Sequence, residues 1–144
     1  MIQLARILVS VASLVTLIGS NLADWNKTHL FSELWSPHAK FHGAWLIFAF
    51  SLLSLYCLYL VWSQPDRQPQ PTRTAAMVQT CIWLAFFPAL LVPGGALADP
   101  GKSFAEIAGL EVNFYGALGQ LLVLALSLAL IKARVPRQPA SYNE

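Results

Sequence analysis

Charged side chains are scarce in this chain. Asp, Glu, Lys and Arg make up 11% of its 144 residues, against about 25% in a typical soluble domain. None occurs in 7–23, 41–64, 74–98 or 112–131, and each of these runs is near or above the roughly 18–20 apolar residues that cross a bilayer core. Cysteine is nearly missing too: Cys57 and Cys81 fall inside two of the runs without CxxC spacing. That excludes dithiol redox chemistry and leaves the expectation of two buried thiols that pack as small apolar groups. The net charge of +2 comes from basic residues at the ends of the runs, so nucleic acid is excluded as a partner. There is no internal repeat. With 56% hydrophobic residues, the chain reads as all-α, an integral membrane bundle of four transmembrane helices. It forms a single domain over 1–144, with spans at about 2–22, 38–62, 74–93 and 104–132.

The first run is too long for a signal-peptide core, and Asn21-Leu22-Ala23 is a poor small-x-small cleavage site. A retained helix is expected. Ser13, Thr16 and Ser20 form a stripe on it that should face other helices. A loop rich in Trp and charge follows, with a short interfacial helix expected near Leu30 to Trp35. Ser36 then caps the second span and Pro37 takes its first position. Pro65, Pro69 and Pro71 should keep 63–73 a turn. Pro88 should kink the third span, and Pro93-Gly94-Gly95 should end it. Ser103-Phe104-Ala105-Glu106 matches a capping box, which places the start of the fourth span near Phe104.

Basic residues then orient the chain. Arg6, Arg67, Arg73, Lys132, Arg134 and Arg137 share one side, and Lys27, Lys40 and Lys102 share the other. The richer side is expected to be cytoplasmic. Both termini then lie inside, and 23–37 and 98–103 lie outside. This arrangement gathers His29, His38 and His42 with Asp24, Glu33, Asp99, Glu106 and Glu111 on the outer side, leaving Asp66 and Glu144 inside.

The sharpest local pattern is His38-Ala39-Lys40-Phe41-His42. Positions i and i+4 share a helix face, so the two imidazoles should point together, with Trp45, Leu46 and Ala49 continuing the face inward. Two such rings can hold one divalent metal ion, as in the HExxH helix, although the Glu of that motif is missing. Further ligands would come from Asp24, His29, Glu33, Asp99 or Glu106, and the ligand set taken forward is His38, His42, His29 and Asp24. The bland alternative is that the histidines are interfacial and bond to water, headgroups or loop acids. Glu106, Asn113 and Gln120 stand seven apart and should share a face of the fourth span. Gly109, Gly116 and Gly119 suggest a close helix contact nearby. Aromatic walls beside acids could stabilise a carbocation.

The stretch Ala23-Asp24-Trp25-Asn26-Lys27-Thr28-His29, with Trp35, Pro37 and His38-Ala39-Lys40-Phe41-His42, resembles an uncharacterised family of small four-span membrane proteins found in bacteria and fungi. More distantly, the architecture resembles the emopamil-binding-type sterol isomerases, and loosely the four-span family containing small quinone-linked subunits. The sterol isomerase resemblance implies a sterol-like ligand in a membrane cavity lined by acids and aromatics. The expected function is therefore a membrane enzyme acting on an apolar isoprenoid, sterol or quinone-like molecule at the outer interface. It would work by acid–base or metal-assisted isomerisation or cyclisation. His38, His42, Asp24 and Glu106 would be catalytic, and Trp45, Ala49, Asn113 and Gln120 would bind substrate. The alternative is a non-catalytic subunit, or a lipid- or metal-binding protein, that docks a partner through the outer loop. Expected partners are the bilayer, a hydrophobic small molecule, and a second copy or larger membrane complex.

Overall fold

The computed structural model describes residues 1–63, 68–98 and 105–133. The chain is mostly helical. Its four principal helices are α1 (Ile2–Asp24), α2 (Pro37–Trp62), α3 (Pro69–Leu84) and α5 (Val112–Lys132). A single turn, α4 (Phe86–Ala89), follows α3, and a small hairpin of β1 (Glu106–Ile107) and β2 (Leu110–Glu111) precedes α5. Helices α1, α2 and α5 are long and apolar enough to cross a membrane. The four helices form a ring in which α1 packs on α2 and α5, and α3 packs on the same two, while α1 and α3 also touch across the middle.

The bundle is apolar outside and polar inside. Leu22, Leu52 and Leu122 are 76%, 68% and 71% exposed, whereas Ser13, Ser54, Gln79 and Ser127 are 0% exposed. Water would penalise such a surface. Lipid removes that penalty and leaves close packing and interhelical hydrogen bonds to hold the helices together. The apolar core between them is accordingly made of small or slim side chains: Val9, Ala12, Cys57, Val61, Ala75, Ala76 and Leu124.

The expected stripe on α1 does face the other helices. Ser13 and Thr16 are buried, and Thr16 is the centre of a chain of bonds that joins three helices. The Trp83 indole N–H donates to Thr16 Oγ1 (2.9 Å), the Thr16 hydroxyl donates to Gln79 Oε1 (2.7 Å), and Gln79 Nε2 donates to Ser54 Oγ (3.2 Å). Toward one end, Asn21 Nδ2 donates to Ser51 Oγ at 2.9 Å. Toward the other, Arg6 Nε donates to the Val61 carbonyl at 3.0 Å, and its guanidinium sits 4.5 Å from the centre of the Trp62 ring. Ser127 Oγ donates to the Ala5 carbonyl, so the start of α1 meets the end of α5. Consecutive helices are therefore antiparallel. His29, His38, His42, Asp24, Glu33, Glu106 and Glu111 share one end of the bundle, here called the head, and Arg6 and Lys132 share the other.

Several expectations are corrected. The fourth span does not start near Phe104. Residues 105–111 are a hairpin, with Glu106 opposite Glu111 and Ile107 opposite Leu110. Ala108 and Gly109 turn it, with φ of 50° and 78°. Positive φ at both central residues is the backbone of a two-residue hairpin turn whose twist matches the strands, and glycine enters it without strain. Tyr115 Oη donates to the Ile107 carbonyl at 2.8 Å and ties the hairpin to the first turn of α5. Glu106 thus caps no helix, and Ser103 of the supposed capping box lies outside the described residues. Gly116 and Gly119 make no close contact: an added Cβ at either would meet nothing within 4 Å.

Residues 69–73 are helical rather than a turn, because proline is tolerated in a first helical turn, where the amide N–H is unpaired anyway. No helix forms at Leu30 to Trp35, which is a series of turns. Cys57 is buried as expected, but Cys81 is exposed. Pro88 behaves as expected, since its ring conflicts with the carbonyl four residues back and α3 ends at that residue, Leu84.

Candidate interfacial site

The head is organised by a folded loop. Asn26 is its hub: Oδ1 accepts from the Thr28 amide (2.8 Å), the Thr28 hydroxyl (2.6 Å) and the His29 amide (3.1 Å), and Nδ2 donates to the Ala23 carbonyl (2.7 Å). An asparagine that bonds its own downstream backbone is a strong turn former. The turn drives Leu30 inward to 4% exposure. Trp25 packs edge-on against Phe31 and Phe48, with ring centres 5.5 and 5.7 Å apart. Trp35 lies on α2 at Gly43, where an added Cβ would stand 2.8 Å from Trp35 Cζ3 and 3.4 Å from Leu30 Cδ1. Gly43 is thus the seat of the loop.

Helix α2 then starts as its sequence predicts. Ser36 Oγ accepts from the Ala39 amide at 3.2 Å, and Pro37 sets the first turn. One turn apart on that rigid start, His38 and His42 bring their Nε2 atoms within 3.0 Å. Their rings meet edge to face at 4.4 Å. A nitrogen–nitrogen contact of this length is a hydrogen bond when one ring holds its proton on Nε2 and the other accepts there. Both rings are exposed, and among the described residues no carboxylate bonds to either. Phe41 and Trp45 flank His42, with ring centres 5.6 and 6.1 Å away.

Three depressions surround the pair. An open groove of about 600 Å3 is lined by Leu34, Trp35, Ser36, Ala39, His42, Gly43 and Leu46. A smaller, more enclosed cavity of about 130 Å3 holds Asp24 with Leu30, Ile47 and Phe50, and shares Trp35, Gly43 and Leu46 with the groove. A third, of about 330 Å3, is wholly apolar, between Phe41, Ala44, Trp45 and Phe48.

The expected site residues are therefore only partly gathered. His38 and His42 converge, and His42 lines the groove. Asp24 lines the neighbouring cavity, with Trp35 and Gly43 in the wall common to both. His29 is occupied inside the loop, its Nδ1 3.0 Å from Thr28 Oγ1. Glu106 sits in the hairpin and lines none of the three depressions. Trp45 is 62% exposed and points outward, and Ala49 is half-buried away from the depressions. Asn113 is exposed on α5. Gln120 has a buried Oε1 with no hydrogen-bond partner among the described residues. With Glu106 off the helix, the expected line of Glu106, Asn113 and Gln120 does not exist. Among the described residues no three His, Cys, Asp or Glu side chains gather closely enough to hold a metal ion, so the set of His38, His42, His29 and Asp24 is not assembled. Asp99 lies outside the described residues.

Gly43 and Gln79 were missed in the sequence. Gly43 had a signal, being a glycine one residue past His42 in the interior of a helix, where it weakens the helix unless something needs the space. Gln79 also had one, as a long amide in the middle of a charge-free run.

The chain belongs to DUF6640, a family of unknown function whose model matches residues 8–141. The expected kinship with an uncharacterised family holds at that level. No curated protein and no solved structure matches the chain.

Proposed function

From that membership, which brings no activity with it, we propose a four-span membrane protein whose head binds an apolar small molecule at the outer interface. The ligand class is isoprenoid, sterol or quinone-like: a flat or extended hydrocarbon with one polar end. It would lie in the groove between Trp35 and α2, with its polar end at His38 and His42. The observation that carries this reading is an open, mostly apolar groove with His42, one of the paired imidazoles, in its wall. Ligand sites commonly combine mostly apolar walls with a few placed polar groups.

A binding role fits this geometry better than an acid–base one. Proton transfer to an alkene needs an acid and a base placed on one substrate within hydrogen-bond reach. Here Asp24 and His42 line different depressions, and His38 and Glu106 line none of the three.

The expected third span, beside the three of α1, α2 and α5, is assigned to α3 with α4. They sit in the ring between α2 and α5 and cover most of the charge-free run 74–98. The basic-residue split places the head outside and both termini in the cytoplasm. Single cysteines at Lys27 and Gln70, in a background lacking Cys57 and Cys81, should label with a membrane-impermeant reagent from outside at Lys27 only. Labelling from outside at Gln70 and not at Lys27 inverts the orientation.

Binding is tested with photoreactive sterol and isoprenoid probes on protein in nanodiscs. Crosslinks should map to Leu34–Leu46 and fall at least tenfold in Ala39→Trp, which fills the groove while keeping a helix-compatible residue. Crosslinking spread evenly over all lipid-facing helices, and unchanged in Ala39→Trp, rejects the reading.

A further inference from the structure

We infer that His38 and His42 form a two-histidine site for a first-row divalent transition metal ion, with the remaining coordination positions open to water. The inference stands apart from the apolar ligand, since it needs only α2. The argument begins with the separation of the two donor atoms. Two imidazole nitrogens bound to one tetrahedral ion at about 2.0–2.1 Å stand about 3.3 Å apart. The Nε2 atoms stand 3.0 Å apart, so a shift of a few tenths of an ångström admits the ion.

Tautomer exchange also permits it. A neutral imidazole holds its proton on either ring nitrogen, so with the proton on Nδ1 in both rings each Nε2 offers its lone pair to one ion, and no proton is gained or lost. The rest of the site is rigid and accessible. The spacing is one helical turn, and the helix is fixed just upstream by the Ser36 cap and Pro37. Both rings are exposed, so water can complete the coordination. Lys40 lies about 160–200° round the helix from each histidine and keeps its charge away from the ion. Imidazole donors favour copper, nickel and zinc over magnesium or calcium, and Cu2+ over Zn2+ at equal access.

The test uses the full chain in detergent micelles, first stripped with a chelator. Titration with CuSO4, and separately with ZnCl2, against a chromophoric chelator should show one saturable equivalent per chain. His38→Ala and His42→Ala should each lower Cu2+ affinity about 100-fold, at or beyond the upper range for loss of a mere supporting partner. His29→Ala should leave it unchanged. The electron paramagnetic resonance spectrum of the Cu2+-loaded wild type should show hyperfine splitting from two equatorial imidazole nitrogens, a readout independent of any variant's folding. Absence of saturable binding, a spectrum with fewer than two imidazole nitrogens, or full affinity in the folded double variant overturns the assignment.

Discussion

Replacing Thr16 with valine is expected to destabilise the bundle more than replacing Gln79 with leucine, although the amide is the larger group. The reason is what each change leaves behind. In Thr16→Val the side chain keeps its volume, but Gln79 Oε1 loses the hydroxyl that donates to it at 2.7 Å, and the Trp83 N–H loses its acceptor at 2.9 Å. Gln79 is wholly buried, so no water replaces the lost bond. A buried polar atom left without a partner costs about 1–3 kcal/mol, and the expected loss is about 2–3 kcal/mol in all. In Gln79→Leu the whole amide leaves with its own needs. The Thr16 hydroxyl has a second acceptor ready, the Ala12 carbonyl at 3.0 Å, and still accepts from Trp83. Ser54, on a helix, can turn its hydroxyl to the carbonyl four residues back. The expected loss is about 1 kcal/mol or less, in line with interhelical hydrogen bonds in membranes. The double variant should then cost less than the sum of the singles, because the Thr16→Val change no longer deprives an amide once Gln79 is gone. Equilibrium unfolding in mixed micelles measures all three. A Thr16→Val effect equal to or smaller than that of Gln79→Leu removes the network from the forces that hold α1, α2 and α3 together.

That network also shows what the sequence withholds. The helices of the bundle were legible because lipid demands long charge-free runs, although the starts of α3 and α5 were not. The start of α2 at Ser36-Pro37 is written in two adjacent residues. The pairing of His38 with His42 follows from helix periodicity alone. Thr16 and Gln79, by contrast, are 63 positions apart, and only the ring order of the helices makes them neighbours. The hairpin at 106–111 escaped for a different reason. Ser103 and Glu106 satisfy the capping-box pattern, and Glu106, Asn113 and Gln120 satisfy the helical period, so two local signals agreed on a helix. The left-handed backbone at Ala108 and Gly109 overrides both, since a helix cannot pass through it. The site was half legible for a related reason. Side chains on one turn of α2 converge by geometry, whereas Asp24, His29 and Glu106 sit on three other segments, the end of α1, the loop and the hairpin, which local pattern does not bring together.

The loop in turn depends on Gly43, and Gly43→Leu should open it without unfolding the bundle. Two effects oppose each other at this position. Alanine or leucine gains about 0.5–1 kcal/mol over glycine inside a helix. Against that, the first added carbon would already lie 2.8 Å from the Trp35 ring and 3.4 Å from Leu30. Overpacking a filled contact costs about 1–3 kcal/mol, and leucine adds three further carbons in the same direction. The side chains can escape only if Trp35 and Leu30 lift off α2, which carries the Asn26 turn with them. For leucine the net balance is about 2 kcal/mol against the docked loop, equivalent to about a 30-fold rise in local opening. Alanine, with the smallest clash and nearly the full helical gain, should open it far less. Hydrogen exchange reads this directly. The amides of Leu30 and Phe31 are bonded to the carbonyls of Asp24 and Asn26 at 3.0 and 2.9 Å, and both should exchange about 30-fold faster in Gly43→Leu. Amides around Ser54 and Leu124, buried far from the head, should not change, which separates loop opening from global loss of structure. Probe crosslinking in the groove should fall with the loop, because Leu34 and Trp35 form one of its walls. Leu30 and Phe31 amides that stay as protected as in the wild type would show that the loop is held by something other than its seat on Gly43.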